Sequence, residues 1–236
     1  MATSKLTKEL KTKGWDRVAN VYARDRRAGS MHHRFISDPA LFAMIGEVTG
    51  KRVLDAGCGE GIISRKLAEK GAEVVGVDLS EKLIELAQKE VSKNHLGIKF
   101  YHASLTDLST LEIGKFDMIV SNLVLHDLEP LDIVLDEFNK ALKSNGELVL
   151  CLQHPMTNGE EYFEAGWHEY NWEGDYMTLA AYNRMLSDYI NGLTKRGFMI
   201  LEVIEPRPTK EGLQNEKLRE WDKKPLFLLI KALKKD

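Results

Sequence analysis

The stretch Lys51–Gly61, K-R-V-L-D-A-G-C-G-E-G, decides how the rest of this 236-residue chain is read. Val53-Leu54 is a short apolar run entering a turn that carries Gly57, Gly59 and Gly61, and a helical pattern, Ile62 to Lys70, follows at once. The order is strand, glycine turn, helix. Gly57 and Gly59 are free to take backbone angles that other residues avoid, and they let a ligand come close to the main chain. The first N–H groups of the following helix point into that turn. Asp55, at the strand end, is placed to fix the turn or to orient an amine.

Working outward, Glu73–Asp78 (E-V-V-G-V-D) is a second apolar run ending in an acid. An acid about 20 residues past such a turn accepts hydrogen bonds from a ribose diol. The spacing argues against a pyrophosphate. Dinucleotide folds carry G-x-G-x-x-G, whereas here the pattern is G-x-G-x-G with Ile62 in the third glycine's place, and Glu60 at the helix start repels phosphate. The turn suits an adenosyl ligand without phosphates. D-A-G-C-G-E-G followed by V-V-G-V-D-L-S resembles motif I and its successor in class I S-adenosylmethionine (SAM) methyltransferases. A plain βαβ unit with a glycine turn is the alternative.

Composition agrees with a soluble α/β domain. Hydrophobic residues make up 43% and charged residues 29%, with a formal net charge of −3, so no broad attraction to nucleic acid or an anionic membrane is expected. Two cysteines, Cys58 and Cys151, make no disulfide framework and fit a reducing, cytoplasmic setting. The N-terminus M-A-T-S-K-L-T-K-E-L lacks the apolar core of a secretory signal. No apolar run approaches the roughly 18 residues of a membrane span.

Along the chain, residues 1–13 read as a frayed tail or a short exposed helix, and Trp15–Ala28 as a helix with Trp15, Val18, Ala19 and Tyr22 at helical spacing. Asp38-Pro39 opens a helix from Ala40 to Val48 that Gly50 ends. Strands are expected at Arg52–Gly57, Glu73–Leu79, Ile98–Ser104, Phe116–Leu123 and Glu147–Gln153, separated by helices at Gly61–Lys70, Glu81–Lys93 and Asp132–Leu142, with a turn at Asn145-Gly146. Such alternation predicts a parallel sheet covered by helices on both faces, with ligands beyond the carboxyl ends of the strands. An aromatic-rich stretch then breaks the rhythm. A helix Leu179–Lys195, a strand Phe198–Glu205, a polar loop Pro206–Lys224 and a last strand Pro225–Lys234 complete the pattern. The resemblance implies a Rossmann-like seven-stranded sheet in the order 3-2-1-4-5-7-6 with strand 7 antiparallel. Residues 1–50 would be tail and lid helices, and 51–236 the SAM-binding domain with a substrate-covering insertion at 155–178.

The resemblance also assigns residues. Gly57, Cys58 and Gly59 would let the methionine portion of SAM pass over the turn, Asp78 would take the ribose hydroxyls, and Leu79 would lie against adenine. For Asp78, helix capping is the plain alternative. The family's adenine-binding aspartate falls on Ser104, leaving Leu105 backbone as a further contact, while Asn122 and Leu123 would meet the methionine amine through their backbone. Tyr22 resembles a lid tyrosine, or is a packing residue. The basic segment Arg24–Arg34 reads mostly as a solvated loop, with one arginine serving an anion, either the SAM carboxylate or an acidic substrate.

Methyl transfer from a sulfonium needs approach geometry and exclusion of water, with a base only where the acceptor must lose a proton of high pKa. No protein nucleophile is required, so Cys58 is a small turn residue rather than a thiolate. His126 after the fourth strand and His154 after the fifth are candidate bases, each with a structural alternative. Trp167, Tyr182 and Arg184 are substrate-pocket candidates. No metal is expected, since His32-His33 are adjacent and no cluster has ligand spacing. The reading is a cytoplasmic SAM-dependent methyltransferase, releasing S-adenosylhomocysteine and acting on an oxygen or nitrogen of a small molecule, as a monomer or homodimer. Its rivals are a tRNA or protein methyltransferase, which the acidic balance disfavours, a SAM-binding module without catalysis, and a nicotinamide-dependent oxidoreductase, which the glycine spacing disfavours.

Overall fold

A computed structural model describes residues 5–157, 162–172 and 177–235. It opens with α1 (Lys5–Ala28), which absorbs both the expected helix and most of the expected tail; residues 1–4 of that tail lie outside the described residues. A single π turn, His33–Ser37, leads into α2 (Asp38–Ile45). Here the sequence expectation needs correcting. The helix stops at Ile45, where Gly46 adopts φ 68 and donates its N–H to Phe42 O, and it does not reach Val48 or Gly50.

The alternating part follows closely. It comprises β1 (Arg52–Ala56), α3 (Ile62–Glu69), β2 (Glu73–Asp78), α4 (Glu81–Val91), β3 (Lys99–His102), β4 (Phe116–Asn122), α5 (Leu131–Ala141) and β5 (Leu142–Gln153). Strands β3, β2, β1, β4 and β5 run parallel in that spatial order. The central residues of β1, β2, β4 and β5 are buried on both faces, as parallel strands between helices must be, while the edge strand β3 is only half-buried. Side chains alternate across the sheet: Leu54, Val75 and Ile119 pack toward α5, while Val53, Val74 and Met118 pack toward α2 and α3. The expected turn at Asn145-Gly146 lies inside β5 as an irregularity. Partners jump from Phe116↔Leu142 to Met118↔Glu147, and Asn145 takes φ 56.

After β5 come the hairpin β6 (Gly166–Trp172) and β7 (Met177–Asn183), then α6 (Leu186–Lys195), β8 (Phe198–Ile204) and β9 (Phe227–Lys234). β9 runs antiparallel between β5 and β8. Counted without the separate hairpin, the main sheet has the expected order 3-2-1-4-5-7-6 with its last strand antiparallel. The expected helix Leu179–Lys195 is corrected: its first part, Leu179–Asn183, is strand β7, and helix begins only at Leu186. The insertion is therefore a β-hairpin that extends past residue 178, although 158–161 and 173–176 fall outside the described residues. The polar loop before β9 holds two 3₁₀ segments, Gly212–Gln214 and Glu216–Asp222, anchored by fully buried Leu218.

Helix α1 crosses the carboxyl end of the sheet. At one side Val18 packs on Leu179 of β7, with Trp15, Val21 and Tyr170 around them. At the other, Asp16 Oδ1 accepts hydrogen bonds from Ser80 Oγ at 2.6 Å and from Lys82 N–H at 3.2 Å, at the start of α4. An aspartate there also suits the positive end of that helix. Among the described residues no helix is long and apolar enough to cross a membrane.

Candidate functional site

The glycine turn after β1 is the floor of the site. Gly57, Gly59 and Gly61 all take positive φ, at 78, 53 and 76, which a side chain would strain. The N–H groups of Gly57 and Cys58 donate to Val77 O at 2.7 and 3.1 Å and tie the turn to β2. A Cβ on Gly57 would stand 2.3 Å from a Val124 methyl, so the loop after β4 needs glycine here. A Cβ on Gly59 would stand in ordinary van der Waals contact with the Tyr22 ring, at 3.6 Å, so α1 lies directly over the main chain there. Cys58 is buried, and burial pushes its thiol well up, as suits an inert turn residue.

Three acids surround the turn. Asp55 is buried, accepts the Ser64 hydroxyl at 2.5 Å, and is pushed up to about 7 by burial, with the Asp78 and Glu60 charges adding to the rise. Asp78 accepts Gly59 N–H on one oxygen and Ser80 N–H on the other, both at 2.8 Å. It therefore caps and ties the turn, and each oxygen keeps a lone pair for a further donor. Burial raises its pKa too. Glu60 is buried beside Arg26, and its Oε1 has no hydrogen-bond partner among the described residues. The Asn122 Oδ1 at the end of β4 is likewise buried without a partner among the described residues. Tyr22, Arg26, Asp55, Glu60 and Asn122 converge on one small cleft over the turn, closed by α1 to ≈ 20 Å³.

The other expected contacts are placed as follows. Leu79 is well exposed beyond Asp78, and its carbonyl lies 3.0 Å from His102 Nε2. The Ser104 hydroxyl is engaged in capping the 3₁₀ segment Leu105–Thr110, 3.2 Å from Thr106 N and 2.7 Å from Thr106 Oγ1, and the Leu105 side chain is in the core. Leu123 follows β4 in the left-handed region, φ 59, with its N–H donating to Cys151 O at 2.7 Å. Strain at a strand end beside a cleft is common at functional sites.

Next to the turn cleft, sharing Tyr22 with it, lies a cavity of ≈ 430 Å³. Trp15 and Tyr22 of α1, Tyr170 of β6, and Trp221 and Phe227 give it aromatic walls, while Leu123 and His126 bring in the loop after β4. Burial depresses His126 to about 4, with Arg184 and His168 adding positive charge, so the ring is neutral at neutral pH. Its Nδ1 has no hydrogen-bond partner among the described residues, and its Nε2 lies 3.6 Å from Asp127 Oδ1. Burial pushes Asp127 well up, so the contact is one between groups that both resist charge. Asp127 Oδ2 accepts the Trp15 indole N–H at 3.1 Å.

His154 does not face this cavity. It is buried, its Nε2 donates to Glu205 Oε1 at 2.9 Å, and its Nδ1 accepts Met156 N–H at 3.2 Å; the neighbouring Gln153 lines the wall instead. Trp167 and Tyr182 sit opposite each other in the hairpin, ring centroids 5.5 Å apart. Arg184 stacks under the Tyr182 ring and donates to Leu125 O at 2.9 Å and to Leu128 O. It holds the loop that carries His126 and Asp127, and with Tyr182 it lines a separate depression beside Pro130. Sequence reasoning missed Tyr170 and Trp221 as cavity walls, Asp127 beside His126, and Asp16. The only signal for Arg26 was its place in a basic cluster.

A family model described as a methyltransferase domain matches residues 47–184, more than half of the chain, and the chain belongs to that family: it is a class I SAM-dependent methyltransferase. An uncharacterized protein of Haemophilus influenzae is 29% identical over 243 residues, covering 93% of this chain and 95% of the relative. The ubiquinone biosynthesis O-methyltransferase of Psychrobacter cryohalolentis is 27% identical over 180 residues, covering 66% of this chain and 69% of that one. Among solved structures, the S-adenosylmethionine dependent methyltransferase from Mesorhizobium loti aligns at a TM-score of 0.75 and 29% identity, over 88% of this chain and 99% of its own. The residues present fit SAM. Acceptors at Glu60 and Asn122 that have no partner among the described residues suit an ammonium, Arg26 suits a carboxylate, and Gly59 presents bare main chain beneath the Tyr22 ring.

Proposed function

We propose that this enzyme methylates an oxygen or nitrogen of a small molecule held in the aromatic cavity. The observation that carries this reading is that five aromatic rings, Trp15, Tyr22, Tyr170, Trp221 and Phe227, wall the cavity, which shares Tyr22 with the turn cleft. At ≈ 430 Å³ it suits a single small molecule, within the roughly 300–1,000 Å³ of such sites. The relative named for ubiquinone biosynthesis supports a small-molecule acceptor, and the net charge of −3 disfavours a polyanion. Asp78 is the residue to hold the ribose, Gly57, Cys58 and Gly59 the main-chain rest, Asn122 and Leu123 the strand-end contacts, and Arg26 the counter-charge. Ser104, held by its capping bonds, can offer a ligand the remaining lone pair of its hydroxyl; Leu105 offers backbone alone. Bound SAM supplies a methyl group on a sulfonium, an already activated carbon.

The chain's own work is then positioning, exclusion of water and management of one proton. Trp15, Tyr22, Tyr170 and Trp221 wall out solvent and hold a flat acceptor. His126, neutral with a free nitrogen, is the candidate to accept the acceptor's proton or hydrogen bond. His154, bonded at both nitrogens, has the geometry of a strut. The test is transfer of isotope-labelled methyl from SAM across phenols, small amines, bulk tRNA and protein. Labelling of one low-mass class supports the reading, and labelling of polymer alone overturns it.

A further inference from the structure

A second chamber, ≈ 380 Å³, lies between the end of α1, the segment Gly29–Arg34 and the first turns of α3. Five cations, Arg26, Arg27, Arg34, Arg65 and Lys66, line it against two acids, Asp38 and Glu69. The cations are only partly neutralised. Lys66 and Arg26 share Asp38, at 2.9 and 3.7 Å, and Arg65 donates to a carbonyl, Glu60 O, at 2.7 Å. Arg27 and Arg34 reach Glu90 and Glu211 across longer, exposed contacts of 3.4 and 3.5 Å, which are weak in water. The field is felt inside: His33, on the chamber wall, is held well below its ordinary value by burial and then by Arg26, His32 and Lys66. Ser30 and His33 line this chamber and the aromatic cavity alike.

We infer that the basic chamber binds an anionic group of the methyl acceptor, a carboxylate, sulfonate or phosphate, while the acceptor's ring occupies the aromatic cavity on the other side of Ser30 and His33. This rests on the proposed small-molecule function and narrows it to amphipathic acids. The geometry favours one molecule spanning both chambers, because they meet at two shared residues and differ sharply in character. Arg26 also borders the turn cleft, whereas Arg27 and Arg34 line the basic chamber and not that cleft. Those two therefore separate a role toward the acceptor from a role toward SAM.

A matched pair of fluorescent probes tests this: 8-anilinonaphthalene-1-sulfonate and N-phenyl-1-naphthylamine, which share their rings and differ by the sulfonate. Each is titrated into the full chain and into the double variant Arg27→Gln/Arg34→Gln, alongside calorimetry with S-adenosylhomocysteine. The expected result is tighter binding of the sulfonate by wild type, lost by about tenfold in the variant, the scale of two exposed charge contacts. The neutral probe and S-adenosylhomocysteine should bind both proteins equally. Equal loss for the two probes, or no loss for the sulfonate, overturns the inference. So does a loss of S-adenosylhomocysteine affinity, which assigns the chamber to the cofactor. Absence of S-adenosylhomocysteine binding by wild type would instead strike at the function itself.

Discussion

Asp55 and His126 are the two residues whose titration reports on the site. Asp55, raised to about 7, holds its proton through mildly acidic pH in the free enzyme. A ligand ammonium placed beside it favours the carboxylate, so affinity for S-adenosylhomocysteine should rise as pH goes from 6 to 8 and approach a limiting slope of about tenfold per unit below 7. In Asp55→Asn that slope should vanish; calorimetry at three pH values decides, and a flat wild-type profile contradicts the placement. His126 is shifted the other way. Its folded pKa, about 4, lies below the unfolded value of 6.5, so the unfolded chain takes up the proton first. Stability is intact above pH 6.5 and falls as pH drops from there toward 4. Between pH 7.5 and pH 5 the stability of His126→Gln relative to wild type should shift by about 2 kcal/mol in the variant's favour, read by urea unfolding. A constant difference would mean the ring is not buried neutral. Neither shift was legible in the sequence. The strand-end positions were, because a histidine or acid just past an apolar run lands at the ligand edge of this sheet, but burial depends on what packs over it.

Helix α1 and the β6–β7 hairpin form the cover, and here the sequence reading partly failed. L-A-A-Y-N at 179–183 has ordinary helix formers, yet it pairs strand to strand with Gly166–Tyr170, and Leu179 is buried by Val18. Tertiary contact overrode a weak local preference. The turn cleft is closed to ≈ 20 Å³ by α1, so ligand entry requires that helix to move, and Asp16 on Ser80 with Trp15 on Asp127 are its latches. Asp16→Ala should speed both association and dissociation of S-adenosylhomocysteine several-fold, the scale of one or two net hydrogen bonds. Stopped-flow tryptophan fluorescence measures this, and unchanged rates would remove Asp16 from the latch. Arg184 supports the neighbouring loop. Arg184→Met keeps the stem but strands two carbonyls, so a loss of about 2–4 kcal/mol in unfolding free energy is expected, together with weaker activity through His126. Stability within a few tenths of wild type would show that the loop holds itself.

At the scale of the whole molecule the parallel, helix-covered sheet was readable from alternating apolar strands and capped helices, whereas the order of its strands came from the resemblance to class I methyltransferases. The glycine turn then located the cofactor edge, since β1 stops at Ala56 and α3 starts at Ile62, and the tight turn between them takes positive φ at Gly57, Gly59 and Gly61. The far wall was not readable. Trp221 sits in K-L-R-E-W-D-K-K, a charged stretch with no apolar period, and it reaches the aromatic cavity only because the loop before β9 folds back over it. The parts converge on one claim, that SAM binds at the carboxyl ends of β1, β2 and β4. The most direct measurement is calorimetric titration of S-adenosylhomocysteine into the full chain and into Asp78→Ala, with NAD as control. A SAM cleft predicts micromolar binding to wild type, a loss of about 1–3 kcal/mol in the variant and no heat with NAD. No binding of S-adenosylhomocysteine, or equal affinity in both proteins, would contradict it.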